Sequence, residues 1–177
     1  MIRTLLVILG TAVFTGGCFY SEDALVSRRS ADFPVTEGVY SHTPYHPDGR
    51  PFDRPTWRGE IEREGWSYGS DMDAFPHQNI RLRELSSGIF AGQTVNEDGH
   101  YLFGLVWIYP DGLITYHNPS CSDLSDAARQ TYDLIEDMED GYCRIDRWDV
   151  LSAVLLTYLA EHEGSPRIDG EYRRVVE

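Results

Sequence analysis

Between residues 80 and 117 the chain offers strand-forming runs joined by connections too short for anything but antiparallel pairing, and this limits its folds more than any other feature. Ile80 and Leu82 alternate with Arg81 and Arg83, the period of a half-buried strand. Ser86-Ser87-Gly88 turns the chain into residues 89–95, Asn96-Glu97-Asp98-Gly99 turns it into residues 100–109, and Pro110-Asp111-Gly112 returns it into residues 113–117. Parallel neighbours need a crossover of about a dozen residues or more, so these runs predict an antiparallel meander. The run at 100–109 is apolar at both parities, which predicts a central strand covered on both faces.

Upstream, Gly38-Val39-Tyr40 reads as a short first strand, and residues 44–55 read as a proline-rich surface loop. Residues 60–63 and 66–68 flank Glu64-Gly65 as a tight hairpin. After Cys121 helix formers take over. Residues 124–138 predict a short, broken helix, residues 142–145 a short strand, and residues 147–162 the strongest helix, with Asp146 as its N-cap. Trp148, Leu151, Leu155, Leu159 and His162 trace one face of that helix, and Val150, Val154 and Leu156 widen it. Residues 171–175 read as a last edge strand. Hairpins followed by helices predict an α+β domain over residues 33–177: a curved, barrel-like antiparallel meander sheet with the C-terminal helix packed on it.

The N-terminus reads as an address. A basic start at Arg3 precedes an apolar core over residues 5–14 and the small residues Thr15-Gly16-Gly17, the layout of a secretory signal. A core of this length is about half of what a spanning helix needs. Thr15-Gly16-Gly17-Cys18 resembles the lipobox of bacterial lipoproteins. That resemblance implies removal of residues 1–17, acylation of Cys18 and a membrane anchor through the acyl chains. Phe19, where Asp would favour inner-membrane retention, implies the outer membrane facing the periplasm. Residues 18–32 are polar enough to read as a tether between lipid and domain. In such an oxidising compartment the two other cysteines, Cys121 and Cys143, predict a disulfide.

Charge narrows the partners. The chain carries 15 basic residues, all arginine, against 29 acids. This excludes the basic stripe that nucleic-acid binding requires. Asp133, Glu136, Asp137, Glu139 and Asp140 form the densest acidic run. It reads as a solvated helix face or as a patch for a basic envelope partner.

Signals for chemistry are weak. Gly65-Trp66-Ser67-Tyr68-Gly69 matches the nucleophile-elbow pattern, yet Pro76 forbids the long helix that must follow it, which leaves a hydrolase using Ser67 as the third reading. His42 and His46 are spaced like metal ligands, but Pro44 between them excludes a helical pair, and both read as surface-loop residues. No phosphate loop, calcium loop or CxxC occurs, so no cofactor, metal or catalytic residue is assigned. Trp57, Trp66, Tyr68, Phe90, Tyr101, Phe103, Trp107, Tyr109 and Tyr116 fall on the predicted strands or their flanks. They fill a core or line a cavity for a small apolar ligand. The leading expectation is a non-enzymatic, lipid-anchored accessory or interaction module of the envelope. The alternative is a lipocalin-like ligand-binding domain, which a large aromatic-lined pocket inside the sheet would favour.

Overall fold

A computed structural model describes residues 19–135 and 142–175. Ten strands form one sheet: β1 (Phe19–Ser21), β2 (Gly38–Pro44), β3 (Trp57–Glu64), β4 (Ser67–Gly69), β5 (Arg81–Ser86), β6 (Ile89–Val95), β7 (Tyr101–Ile108), β8 (Ile114–His117), β9 (Cys143–Arg144) and β10 (Gly170–Arg174). Two α-helices accompany them, α1 (Asp126–Thr131) and α2 (Trp148–Glu161). The meander β5–β6–β7–β8 pairs antiparallel throughout, as the short connections require.

Two features depart from a simple meander. β10 is not an edge strand, because it is inserted between β2 and β8, antiparallel to both. Gly170 permits this close packing: a Cβ there would lie 2.4 Å from the Tyr116 hydroxyl oxygen. The second departure is β1, which pairs antiparallel with β7 and parallel with β9, making the sheet mixed. The long strand β7 thus has a divided edge, with β1 on residues 101–103 and β8 on residues 105–108. Gly104 sits at the fork, where a Cβ would stand 2.9 Å from the His117 carbonyl oxygen.

The sheet does not close. One isolated bridge, in which the Tyr68 N–H donates to the Ile80 carbonyl at 2.8 Å, draws β4 toward the start of β5. The chain between them, residues 70–80, crosses the gap. Its base is pinned by Gln78, whose Nε2 donates to the Ser70 carbonyl at 2.7 Å while its Oε1 accepts the Ser70 N–H at 3.1 Å.

The two faces of β7 lead to two cores. On one side Phe103 and Leu105 pack with Phe19, Cys121, Cys143, Leu151, Val154 and Leu155 under α2. On the other, Val106 packs with Tyr40, Trp57, Tyr68, Phe75, Tyr116 and Tyr172 inside the curl of the sheet. The alternation of side chains along a strand is what sends neighbours to opposite cores.

The helices agree with the sequence in place and differ at their ends. α2 begins at Trp148 with Arg147 as N-cap, not with Asp146, because the Asp146 carboxylate accepts from Arg144 Nε at 2.8 Å. Leu156 lies outside the buried face and Tyr158 inside it. Arg83 stacks 3.9 Å over the Trp148 ring and ties the helix start to β5. His162 caps the other end, its Nδ1 donating to the Tyr158 carbonyl at 2.8 Å. The shorter helix has Ser125 as its N-cap, accepting from the Ala128 N–H.

Residues 19–32 are no tether. Phe19, Ser21 and Val26 are fully buried. The Gln93 side chain accepts the Val26 N–H at 2.7 Å, and Asp32 bridges to Leu82. Polar composition suggested a solvated linker, but Ser21 and Asp32 use their polar groups inside the fold, on Asp146 and on the Glu84 N–H. Among the described residues no helix is long and apolar enough to cross a membrane.

Candidate functional site

A cavity of about 840 Å³ opens inside the curl. Its walls follow from strand parity. Gly92 and Thr94 of β6 face Leu102, Gly104 and Val106 of β7, and Ile114 and Tyr116 continue the surface across β8. Phe75 and His77 close it from the pinned 70–80 segment, and Tyr172 contributes from β10. At the far end the lining reaches Tyr20, His100, Asn118 and Tyr142, beside the fork between β1 and β8. The volume suits one small organic molecule, and the walls combine apolar and aromatic side chains with polar groups from Thr94, Asn96 and Asn118.

At the inner end His77 lines the cavity, and His42 lies behind it among the same aromatic rings. His42 is fully buried on β2, with Nε2 3.0 Å from the Tyr116 hydroxyl and Nδ1 3.1 Å from Thr56 Oγ1. His77 Nδ1 lies 2.6 Å from the Tyr172 hydroxyl. The rings interlock: His77 meets Tyr116 edge to face at 4.6 Å between centroids, and His42 sits 4.8 Å from Tyr172. Burial holds both imidazoles neutral, lowering His42 to about 4 and His77 to about 3, the latter with help from His42 nearby. Burial also pushes the Tyr116 and Tyr172 hydroxyls well above the ordinary phenol range. All four groups are therefore uncharged near neutral pH. They form hydrogen bonds and do not exchange protons readily.

The outer end is more polar. His100 lines it, its ring tilted at 5.4 Å from that of Tyr20, and its buried Nδ1 has no hydrogen-bond partner among the described residues. Asp73, Glu97 and Asp98 also line the cavity, and no arginine does.

The residues singled out from sequence scatter. Cys121 and Cys143 form the expected disulfide, which links the start of the helical region to β9 inside the α2-side core. Ser67 lies on the β3–β4 hairpin and donates to the Glu64 carbonyl at 3.3 Å, followed by a loop and not by a helix. His42 and His46 do not share a loop: His42 is in the buried cluster, whereas His46 is exposed and stacks on Phe52 at 4.3 Å. Among the described residues no three His, Cys, Asp or Glu side chains gather to hold a metal. Asp133 is exposed beyond α1, while Glu136, Asp137, Glu139 and Asp140, like Cys18, lie outside the described residues. Of the named aromatics, Trp57, Tyr68, Phe90 and Tyr116 face the curl, Phe103 faces α2, and Trp66 is exposed.

Sequence reasoning missed His77, Phe75 and Tyr172. Tyr172 was legible in part, since its alternation with charged neighbours marks a strand, but nothing local shows that β10 is central. His42 continues the parity of Tyr40 along β2 and was within reach of the same rule. Comparison with family models, with curated proteins and with solved structures finds no match.

Proposed function

We propose that this is a non-enzymatic binding domain of the bacterial envelope that takes one small, largely apolar molecule into the curl of its sheet. The observation that carries the reading is the 840 Å³ aromatic-lined cavity. Sheet interiors are normally packed to the density of an organic crystal, so a space of this size inside the curl is the first candidate for a binding site. The histidines and tyrosines at its end are neutral and hydrogen-bonded to one another and to Thr56, which suits recognition better than turnover. The curl of the sheet resembles a lipocalin only as architecture, since no ladder closes it.

The anchor belongs to the same proposal. The lipobox-like Thr15-Gly16-Gly17-Cys18 and the disulfide both fit an exported protein acylated at Cys18. Because Phe19 already pairs with Phe103, such an anchor would hold the domain directly against lipid, with no spacer between. Mass spectrometry of the N-terminus from membranes, compared with Cys18→Ser, tests this part. An acylated Cys18 supports it, and an intact residue 17–18 bond rejects it.

Fluorescence titration with N-phenylnaphthylamine tests the cavity. Saturable binding to the wild type, weakened at least about tenfold by Thr94→Trp without loss of thermal stability, is expected, because the indole fills the space beside Leu102. Absence of saturable binding to the wild type would overturn the reading.

A further inference from the structure

We propose that His77 is the polar contact for the cavity's ligand, donating its Nε2–H to an uncharged acceptor such as a ketone, ester or amide carbonyl. This rests on the ligand-binding reading above and names the ligand class it would accept. The tautomer follows from accounting for every polar hydrogen. Tyr172 is buried, and among the described residues its hydroxyl has one hydrogen-bond partner, His77 Nδ1 at 2.6 Å. If Nδ1 carried the proton, it would donate to the phenol oxygen and leave the buried O–H without an acceptor, at the full cost of an unmade hydrogen bond. The phenol therefore donates to Nδ1, and the imidazole proton resides on Nε2.

Nε2 makes no hydrogen bond among the described residues, yet it is not sealed into the core. His77 is half-buried and is one of the residues that line the cavity. Phe75 and Tyr116 flank the ring at 6.5 and 4.6 Å between centroids, fixing its plane. Gln78 pins the segment that carries it. The site thus presents one oriented donor in an otherwise apolar inner end, the arrangement that gives a hydrogen-bonding ligand its orientation.

Charge decides between a carbonyl and a carboxylate. No arginine lines the cavity, Asp73, Glu97 and Asp98 do, and the imidazole is held neutral by burial. A carboxylate would lose its hydration and meet like charge with no cation to offset it. A carbonyl loses little and gains the Nε2–H.

The experiment uses three naphthalene probes of one shape: dimethylaminonaphthalene, its propionyl ketone Prodan, and the corresponding naphthoate. Wild-type protein should bind Prodan most tightly and the naphthoate most weakly. His77→Phe, which keeps the ring, should weaken Prodan about tenfold and leave dimethylaminonaphthalene within about twofold. Equal loss for both probes, or none, overturns the role of His77 while leaving the cavity reading intact; failure of all three to bind wild type overturns both. Should His77→Phe not fold, imidazole nitrogen NMR of the wild type decides. An Nε2-protonated ring whose signal moves on adding Prodan supports the assignment, and an Nδ1-protonated ring or an unmoved signal contradicts it.

Discussion

The two faces of β7 are built on different principles. Toward α2 the core is aliphatic and closed, with Leu151, Val154 and Leu155 fully buried and a disulfide stitched through it. Toward the curl the same strand meets aromatic rings, two neutral histidines and open space. The first arrangement maximises apolar contact per residue, while the second keeps side chains of fixed shape around a volume they do not fill. Stability should therefore be concentrated on the α2 side and recognition on the curled side. Changes to one face should leave the other's property largely intact.

That division can be broken from either side. Leu155→Ala, at a fully buried position under the sheet, should lose about 4 kcal/mol in urea unfolding while probe affinity of the folded fraction stays within about twofold. Replacing Cys121 and Cys143 together by Ser should lose about 3 kcal/mol by the same measurement, the cost of reopening a loop of this size. A large loss of probe binding in either variant at a temperature where it remains folded would show that the two faces are coupled.

The curled side should carry most of the acid sensitivity, and the buried His117 on the opposite parity of β8, also lowered by burial, should add to it. Unfolded histidine takes up protons from about pH 6.5 downward, whereas His42 resists until about pH 4 and His77 until about pH 3. The stability from keeping them neutral is complete above pH 6.5 and is lost as pH falls through that window. The slope is up to about 1.4 kcal/mol per pH unit for each ring. Chemical unfolding between pH 7 and pH 4.5 should show this decline, and His42→Gln should flatten part of it. Tyr172→Phe should cost less, about 1 kcal/mol, through the hydrogen bond to His77. The smallest effect is expected from neutralising Glu136, Asp137, Glu139 and Asp140 together: under about 0.5 kcal/mol and no change in probe affinity.

The same division explains what could be read from residues alone. The meander was legible because short turns leave one pairing rule, and α2 was legible because its apolar face repeats at helical spacing. The disulfide followed from two cysteines in a chain whose N-terminus reads as an export signal. The place of β10 was not legible, since its partners β2 and β8 are distant in sequence and only the packing of Tyr116 against Gly170 reveals it. Residues 19–32 misled for a related reason: polarity marks a segment that wants hydrogen bonds, and Gln93, Leu82 and Asp146 supply them from elsewhere in the chain. The cavity's inner end joins β8, β10 and the 70–80 segment, with β2 behind them, so no local pattern contains it. His42, in step with Tyr40, and Tyr172, alternating with charged neighbours, had parity signals.

The central claim is that the curl binds one small molecule. Titrating purified wild-type protein and Thr94→Trp with N-phenylnaphthylamine, at matched thermal stability, tests it most directly. One saturable site in the wild type, lost when the indole occupies the cavity, is the predicted result; equal binding by both proteins, or none by either, would contradict it.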